Sequence, residues 1–367
     1  MEPNATQVAR AEDYRMNSHF VNFAIVCIIT MIIVGILGNL ATIVALWRCP
    51  KVRTATTAFI INLSFADLIF CLFCMPFTVS LYIHHDWLHG AVLCVIFPLV
   101  RYTNVGLSLM SIVAITVNRC VLIANPAVYC SIYNRRRYVS AMIAFIWLFC
   151  FGMMIPTLAG VWGKFGLNKR IHSCTILSVN GSSPKNFLFI LGFTLPVVAI
   201  VICYLIIFVL LYRSHSRMLA HSHKKEKKTS HLRPDEKRLT AMVLLIFLTF
   251  LLCYLPVTVI KVGTLTIAIR SLLSIDIILT ISCSVSWQQF HGLPPEMHVL
   301  GNLLVYLSAC VNPLLYGAVN PQYRQAYRRM FTRMLNMSER TGMTSTGASK
   351  PEHTAVPKKD EFVEEKL

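Results

Sequence analysis

"ITVNRCVLIANP", Ile115–Pro126, ends a long apolar stretch on a single arginine, Arg119, with neutral Asn118 before it and Cys120 after it. An arginine at the edge of an apolar segment either anchors in lipid headgroups or does work inside the membrane. The stretch that it closes is one of seven runs long enough to cross a bilayer core, which needs about 20 residues. They lie at roughly 20–47, 56–83, 92–123, 138–162, 186–212, 237–262 and 298–319. Seven such runs predict an all-α membrane protein, a seven-helix bundle.

Composition agrees. The chain is 56% hydrophobic and only 14% charged, where soluble domains carry about a quarter charged residues. Residues 1–19 are polar and lack the apolar core of a cleavable signal peptide, so the first run is expected to act as the anchor. The net charge of +18 is not spread like a nucleic-acid footprint. Of the 34 Lys and Arg, 25 fall in the loops and tail that are cytoplasmic if residue 1 is outside. The positive-inside rule then places the N-terminus outside and the C-terminus in the cytoplasm of a multi-pass plasma-membrane protein. Basic clusters there face anionic membrane lipids and require no nucleic acid.

Topology also sorts the 13 cysteines. Most are intramembrane and read as small apolar packing residues. Cys94 and Cys174 lie on the outer side, where oxidising surroundings favour a disulfide between them. The sequons at Asn4 and Asn180 face the same side and are glycosylation candidates. Asn336 lies inside and should stay bare.

Polar residues within the spans carry the functional signal. Asp67 is a carboxylate deep in span two, and a buried charge needs partners. Asn104 and Ser108 are four residues apart on one face of span three, as are Ser308 and Asn312 on span seven. With Asn39 of span one they form a candidate oxygen cage for one allosteric sodium ion. A hydrogen-bonded polar core without an ion remains the alternative. Pro156, Pro196, Pro256 and Pro313 each remove a backbone donor and bend their helices.

Taken in order, Gly38-Asn39, "LSFAD" (Leu63–Asp67), Trp87, Cys94, Arg119, Trp147, Pro196 with Tyr204, "CYLP" (Cys253–Pro256) and "NPLLY" (Asn312–Tyr316) resemble the class A, rhodopsin-like G-protein-coupled receptors over about residues 20–330. The neutral Asn118 is shared with melatonin-type receptors. It is also found in the arthropod group typified by the moody and trapped-in-endoderm receptors, which "VLGNLLVYLSACVNPLLYGAVNPQYRQAY" (Val299–Tyr327) resembles most.

The resemblance implies a receptor, not an enzyme, which takes an extracellular ligand and activates a heterotrimeric G protein. It makes Asn118, Arg119, Cys120, Tyr204, Glu236, Asn312, Pro313 and Tyr316 the coupling switch. Glu236 is the expected partner of Arg119, because Asn118 carries no charge. Leu109, Pro196, Phe250, Tyr254 and Pro256 form the packing relay, with Tyr254 where the family usually has tryptophan. The likeness to moody and trapped-in-endoderm receptors implies roles in cell migration, polarity or barrier regulation.

Eighteen residues before Arg119, about 27 Å up the helix, stands Arg101, where amine receptors carry an aspartate. An arginine favours a carboxylate, phosphate or lipid headgroup, so an anionic or lipid-like ligand is expected near Arg101, Tyr102, Val105, Lys261 and His298. Residues 263–297 do not fit the pattern: they are read either as an anomalously long outer loop or, over 263–287, as a translated intron. Residues 320–333 alternate basic and apolar side chains as an interfacial amphipathic helix. Residues 334–367 read as a disordered cytoplasmic tail with serines and threonines for receptor kinases and arrestin. A secondary transporter is the rival reading, but it calls for an internal repeat that the sequence does not show.

Overall fold

The computed structural model describes residues 18–49, 54–168, 173–179, 183–220, 236–254 and 295–343. Seven helices in it are long and apolar enough to cross a membrane. These spans one to seven run Ser18–Arg48, Ala55–His84, Gly90–Ala124, Arg136–Leu158, Lys185–Arg213, Glu236–Tyr254 and Val299–Val319. Large apolar side chains face outward, Leu148, Phe208 and Leu252 among them, while Asn39, Asp67, Asn104 and Arg119 are buried. That inverted polarity suits lipid, where burying apolar surface between helices brings little gain and close packing and internal hydrogen bonds hold the bundle.

Glycine sets the closest approach. A Cβ on Gly38 would lie 3.0 Å from Pro313, and one on Gly35 would lie 2.5 Å from Cys71 Sγ and 3.1 Å from Cys310 Sγ. Spans one, two and seven therefore meet backbone to side chain. Asn62 of span two ties three helices, accepting from the Trp147 indole at 2.8 Å and donating to Ser111 at 2.8 Å.

Two spans are locally widened. Phe70–Cys74 in span two and Ile190–Thr194 in span five are π-helical, each just before a proline, Pro76 and Pro196. The distortion at Pro196 matches expectation, and the one beside Pro76 is an addition to it. Span four is shorter than expected: its regular helix ends at Gly152, and Pro156 opens a separate turn, Ile155–Leu158. A proline cannot donate to the preceding turn, so the long helix stops before it.

Outside the bundle, β1 (Lys164–Asn168) pairs antiparallel with β2 (Ser173–Leu177). Cys174 of β2 is disulfide-bonded to Cys94 at the start of span three, the pairing expected from topology. On the opposite side a short helix, Pro126–Tyr133, follows span three, capped by the Asn125 side chain. The amphipathic helix runs Pro321–Met343, ten residues past the expected boundary at 333. Met334, Leu335, Met337, Glu339 and Arg340 are good helix formers, and the first glycine is Gly342. Pro256, Lys261, Asn4, Asn180 and residues 263–287 lie outside the described residues.

Candidate functional site

Three polar centres are stacked along the bundle axis. At the inner end, Arg119 is 2% exposed. Its Nη1 donates to Glu236 Oε2 in an ion pair across spans three and six, and its Nη2 donates to Thr56 Oγ1 of span two. Thr56 in turn donates to Asn118 Oδ1 at 2.6 Å. Glu236 is the partner that the sequence pointed to. Thr56 was not anticipated; the "TATT" run at Thr54–Thr57 holds hydroxyls at the start of span two, but nothing local says what they meet.

Cys120 is buried beside this centre. Tyr204 stacks on Phe247 of span six with ring centroids 6.4 Å apart. Tyr316 meets Tyr323 of the amphipathic helix edge-on at 6.3 Å. The hydroxyls of Tyr204 and Tyr316, Ser64 Oγ, Asn118 Nδ2 and Arg119 Nε are buried without a hydrogen-bond partner among the described residues. Unpaired buried polar groups cost free energy; among the described residues the others are Asn39 Oδ1 and Thr103 Oγ1.

The middle centre is Asp67. Ser108 Oγ donates to one carboxylate oxygen at 3.1 Å and Asn312 Nδ2 to the other at 2.8 Å. Of the six candidate cage residues, these three are joined directly. Asn39 is not among them: its Nδ2 donates to Ala309 O at 3.0 Å and to Gly35 O at 2.9 Å. Pro313 has no N–H to give its i−4 carbonyl, which is that of Ala309, and Asn39 supplies the donor instead. Ser308 Oγ donates to Val305 O at 2.7 Å. Asn104 is buried and forms no direct bond to Asp67 among the described residues. The carboxylate oxygens would suit a small hard cation, with Ser108 and Asn312 as neighbouring oxygen donors after rotation.

Above it, Phe250 stacks on Tyr254 at 4.2 Å, and both lie near Phe193 of span five. Leu109 and Pro196 are buried on spans three and five, so the described relay residues sit in one core. Pro256 falls outside the described residues.

The outer centre is Arg101, which is part-buried. Among the described residues it is held by neutral partners. Nη2 donates to Asn302 Oδ1 of span seven at 2.7 Å, and the guanidinium sits 6.0 Å over the Tyr306 ring. Asn302 reaches Tyr82 OH at 3.4 Å, and Tyr306 OH pairs with Thr78 at 2.9 Å. Tyr102 OH lies 3.0 Å from Thr175 on β2, so the hairpin is tied to the top of span three. Val105 is half-buried one turn below Arg101. His298 is in the helix Pro295–Val319, but its side chain and all of Lys261 lie outside the described residues. Among the described residues no carboxylate pairs with Arg101.

Known proteins resemble this chain. A family described as 7 transmembrane receptor (rhodopsin family) matches residues 38–316. The G-protein coupled receptor moody of Drosophila melanogaster is 33% identical over 97% of this chain and 58% of its own length. Protein trapped in endoderm-1 of the same fly is 34% identical over 84% of this chain and 77% of its own. Melatonin receptor type 1B of Homo sapiens is 26% identical over 83% and 76%. The chain thus spans a little over half the length of moody. Squid rhodopsin superposes with a TM-score of 0.68 at 23% identity, covering 88% of each chain, a likeness of fold alone. With the seven spans and the motifs in place, the chain belongs to the rhodopsin family of seven-transmembrane receptors.

Proposed function

We propose that this receptor takes an acidic or amphiphilic ligand from outside the cell and activates a heterotrimeric G protein at its cytoplasmic end. The observation that carries the proposal is the part-buried pair Arg119–Glu236, which joins spans three and six at the end of the bundle. Glu236 is about a third exposed, so the pair is only partly desolvated and can be exchanged for a docking partner at modest cost. Parting spans three and six frees Arg119 and brings the orphaned Tyr204 and Tyr316 hydroxyls to a groove. An amphipathic helix from a Gα subunit fits such a groove.

The charge distribution supports a plasma-membrane protein with its N-terminus outside and its basic loops inside. A guanidinium with no carboxylate partner among the described residues supports an anionic ligand at Arg101. Asp67 with Ser108 and Asn312 supports a sodium ion that favours the resting bundle. Receptor kinases and arrestin would act on the tail beyond Met343. Likeness to the moody and trapped-in-endoderm receptors supports roles in cell migration, polarity or barrier organisation. Among the described residues no contact in the bundle supports the rival, a transporter.

The test is nucleotide exchange on purified Gα subunits by the receptor in lipid, with fatty acids and lysophospholipids as candidate agonists. Exchange that rises with an acidic agonist and disappears in Arg119→Ala supports the proposal. Exchange indifferent to Arg119 across the Gα classes overturns it.

A further inference from the structure

Asn118 is uncharged, yet Arg119 has two holders. Besides Glu236 it is held by Thr56, whose hydroxyl accepts from Arg119 Nη2 and donates to Asn118 Oδ1 at 2.6 Å. A hydroxyl has one proton and two lone pairs. Because the Thr56 proton points at Asn118, its lone pairs face the guanidinium. Thr56 and Asn118 are both fully buried, so no solvent competes for either bond.

Thr56 is itself held in place. Thr54 caps the first turn of span two, accepting from Thr57 N at 3.3 Å, and its hydroxyl lies 3.1 Å from that of Thr57. Thr57 Oγ1 lies 3.3 Å from Tyr323 OH on the amphipathic helix, and Tyr323 packs edge-on against Tyr316. One turn of span two therefore touches the arginine, its neutral neighbour and the amphipathic helix.

We propose that Thr56, oriented by Asn118, is a positioning residue that holds Arg119 at rest in place of an acidic neighbour, and that the Thr57–Tyr323 pair keeps this holder in register. The proposal rests on the coupling role of Arg119 argued above. A neutral acceptor binds a guanidinium less strongly than a carboxylate does. The clamp is thus easily released, and its strength is set by a hydroxyl on span two together with the seating of the amphipathic helix.

Two readouts separate this clamp from G-protein coupling itself. The first is agonist-free nucleotide exchange on Gα. The second is fluorine NMR of a trifluoromethyl-phenylalanine placed at Lys237, an exposed site beside Glu236, with no G protein present. Thr56→Val is expected to raise basal exchange about three- to tenfold and to shift the resonance towards a second state. Thr56→Ser keeps the hydroxyl and should behave as wild type. Tyr323→Phe should move the resonance in the same direction, by less, and serves alone if Thr56→Val does not fold.

A Thr56→Val receptor with an unmoved resonance overturns the clamp, and so does an equal effect of Thr56→Ser. An unchanged resonance in Tyr323→Phe overturns the part assigned to the amphipathic helix. If the resonance moves as expected while no Gα responds to any form of the receptor, the clamp stands and the G-protein reading falls.

Discussion

Asn39 Nδ2 donates to the Ala309 carbonyl at 3.0 Å, the carbonyl that Pro313 leaves without its helical donor. The "GN" of span one and the "NP" of span seven are therefore two halves of one contact. Replacing Asn39 with leucine should leave that carbonyl buried and unpaired and cost about 1–2 kcal/mol. Pro313→Ala restores the backbone donor, so the double variant should recover part of the loss. Thermal unfolding in detergent checks this, and strictly additive losses would contradict it.

At the inner end, a carboxylate at residue 118 would add a charged acceptor beside Arg119. Asn118→Asp should lower agonist-free nucleotide exchange severalfold, since a charge-assisted bond contributes on the order of 1 kcal/mol more than a neutral one. Glu236→Gln should raise it by a similar factor. Both are read on Gα in lipid without ligand; unchanged basal activity in the two variants would remove the ion pair from the mechanism.

Asp67 is bonded on both oxygens, by Ser108 and Asn312. If those oxygens also serve sodium, replacing potassium with sodium should weaken agonist binding or raise the melting temperature of the unliganded receptor. Asp67→Asn should abolish the difference between the two salts. A sodium effect that survives in Asp67→Asn would place the ion elsewhere.

Arg101 is bonded to a neutral amide, Asn302. Arg101→Gln keeps a donor for Asn302 but loses the charge. It should therefore fold normally while an acidic agonist loses about ten- to a hundredfold in potency, the worth of one charged hydrogen bond. Concentration–response curves at matched surface expression decide it, and an unshifted curve would show that the acid binds elsewhere.

The amphipathic helix is latched to span one by Tyr327 OH and Thr42 Oγ1 at 2.8 Å. Burial pushes the Tyr327 phenol up to about 12, so it stays protonated. A raised phenol pKa contributes stability that is fully present below the unfolded value near 10 and lost as pH rises through the folded one. Tyr327→Phe should cost about 0.6 kcal/mol, equally at every pH up to about 9. Melting curves across that range test it; a loss that varies with pH would implicate another group.

Much of the architecture was legible because membrane spans announce themselves. An apolar run of sufficient length has few alternatives in lipid. The disulfide followed from topology, since Cys94 and Cys174 were both expected on the outer side. Glu236 was legible through the family resemblance, which implies an acidic holder for the arginine and pointed to span six because Asn118 is neutral. Other features had no local signal. Four-residue spacing put Ser308 on the face of Asn312, and Asn39 stood on span one within reach of a neighbouring helix, so both were expected around Asp67. Yet Ser308 turns back to Val305, and Asn39 answers a carbonyl freed by a proline 274 residues away. The length of the amphipathic helix was misjudged because charge alternation, unlike helix propensity, ends near Arg333.

The sequence by itself determined that seven helices cross a membrane, how they are ordered, and which polar residues lie at the depth where a charge needs a partner. Those are matters of composition and period along one strand of chain. Only the tertiary structure decided the pairings: Thr56 with Arg119, Asn302 with Arg101, Asn39 with Ala309, Tyr327 with Thr42. A hydrogen bond depends on the rotation and depth of two helices together, and neither helix encodes the orientation of the other.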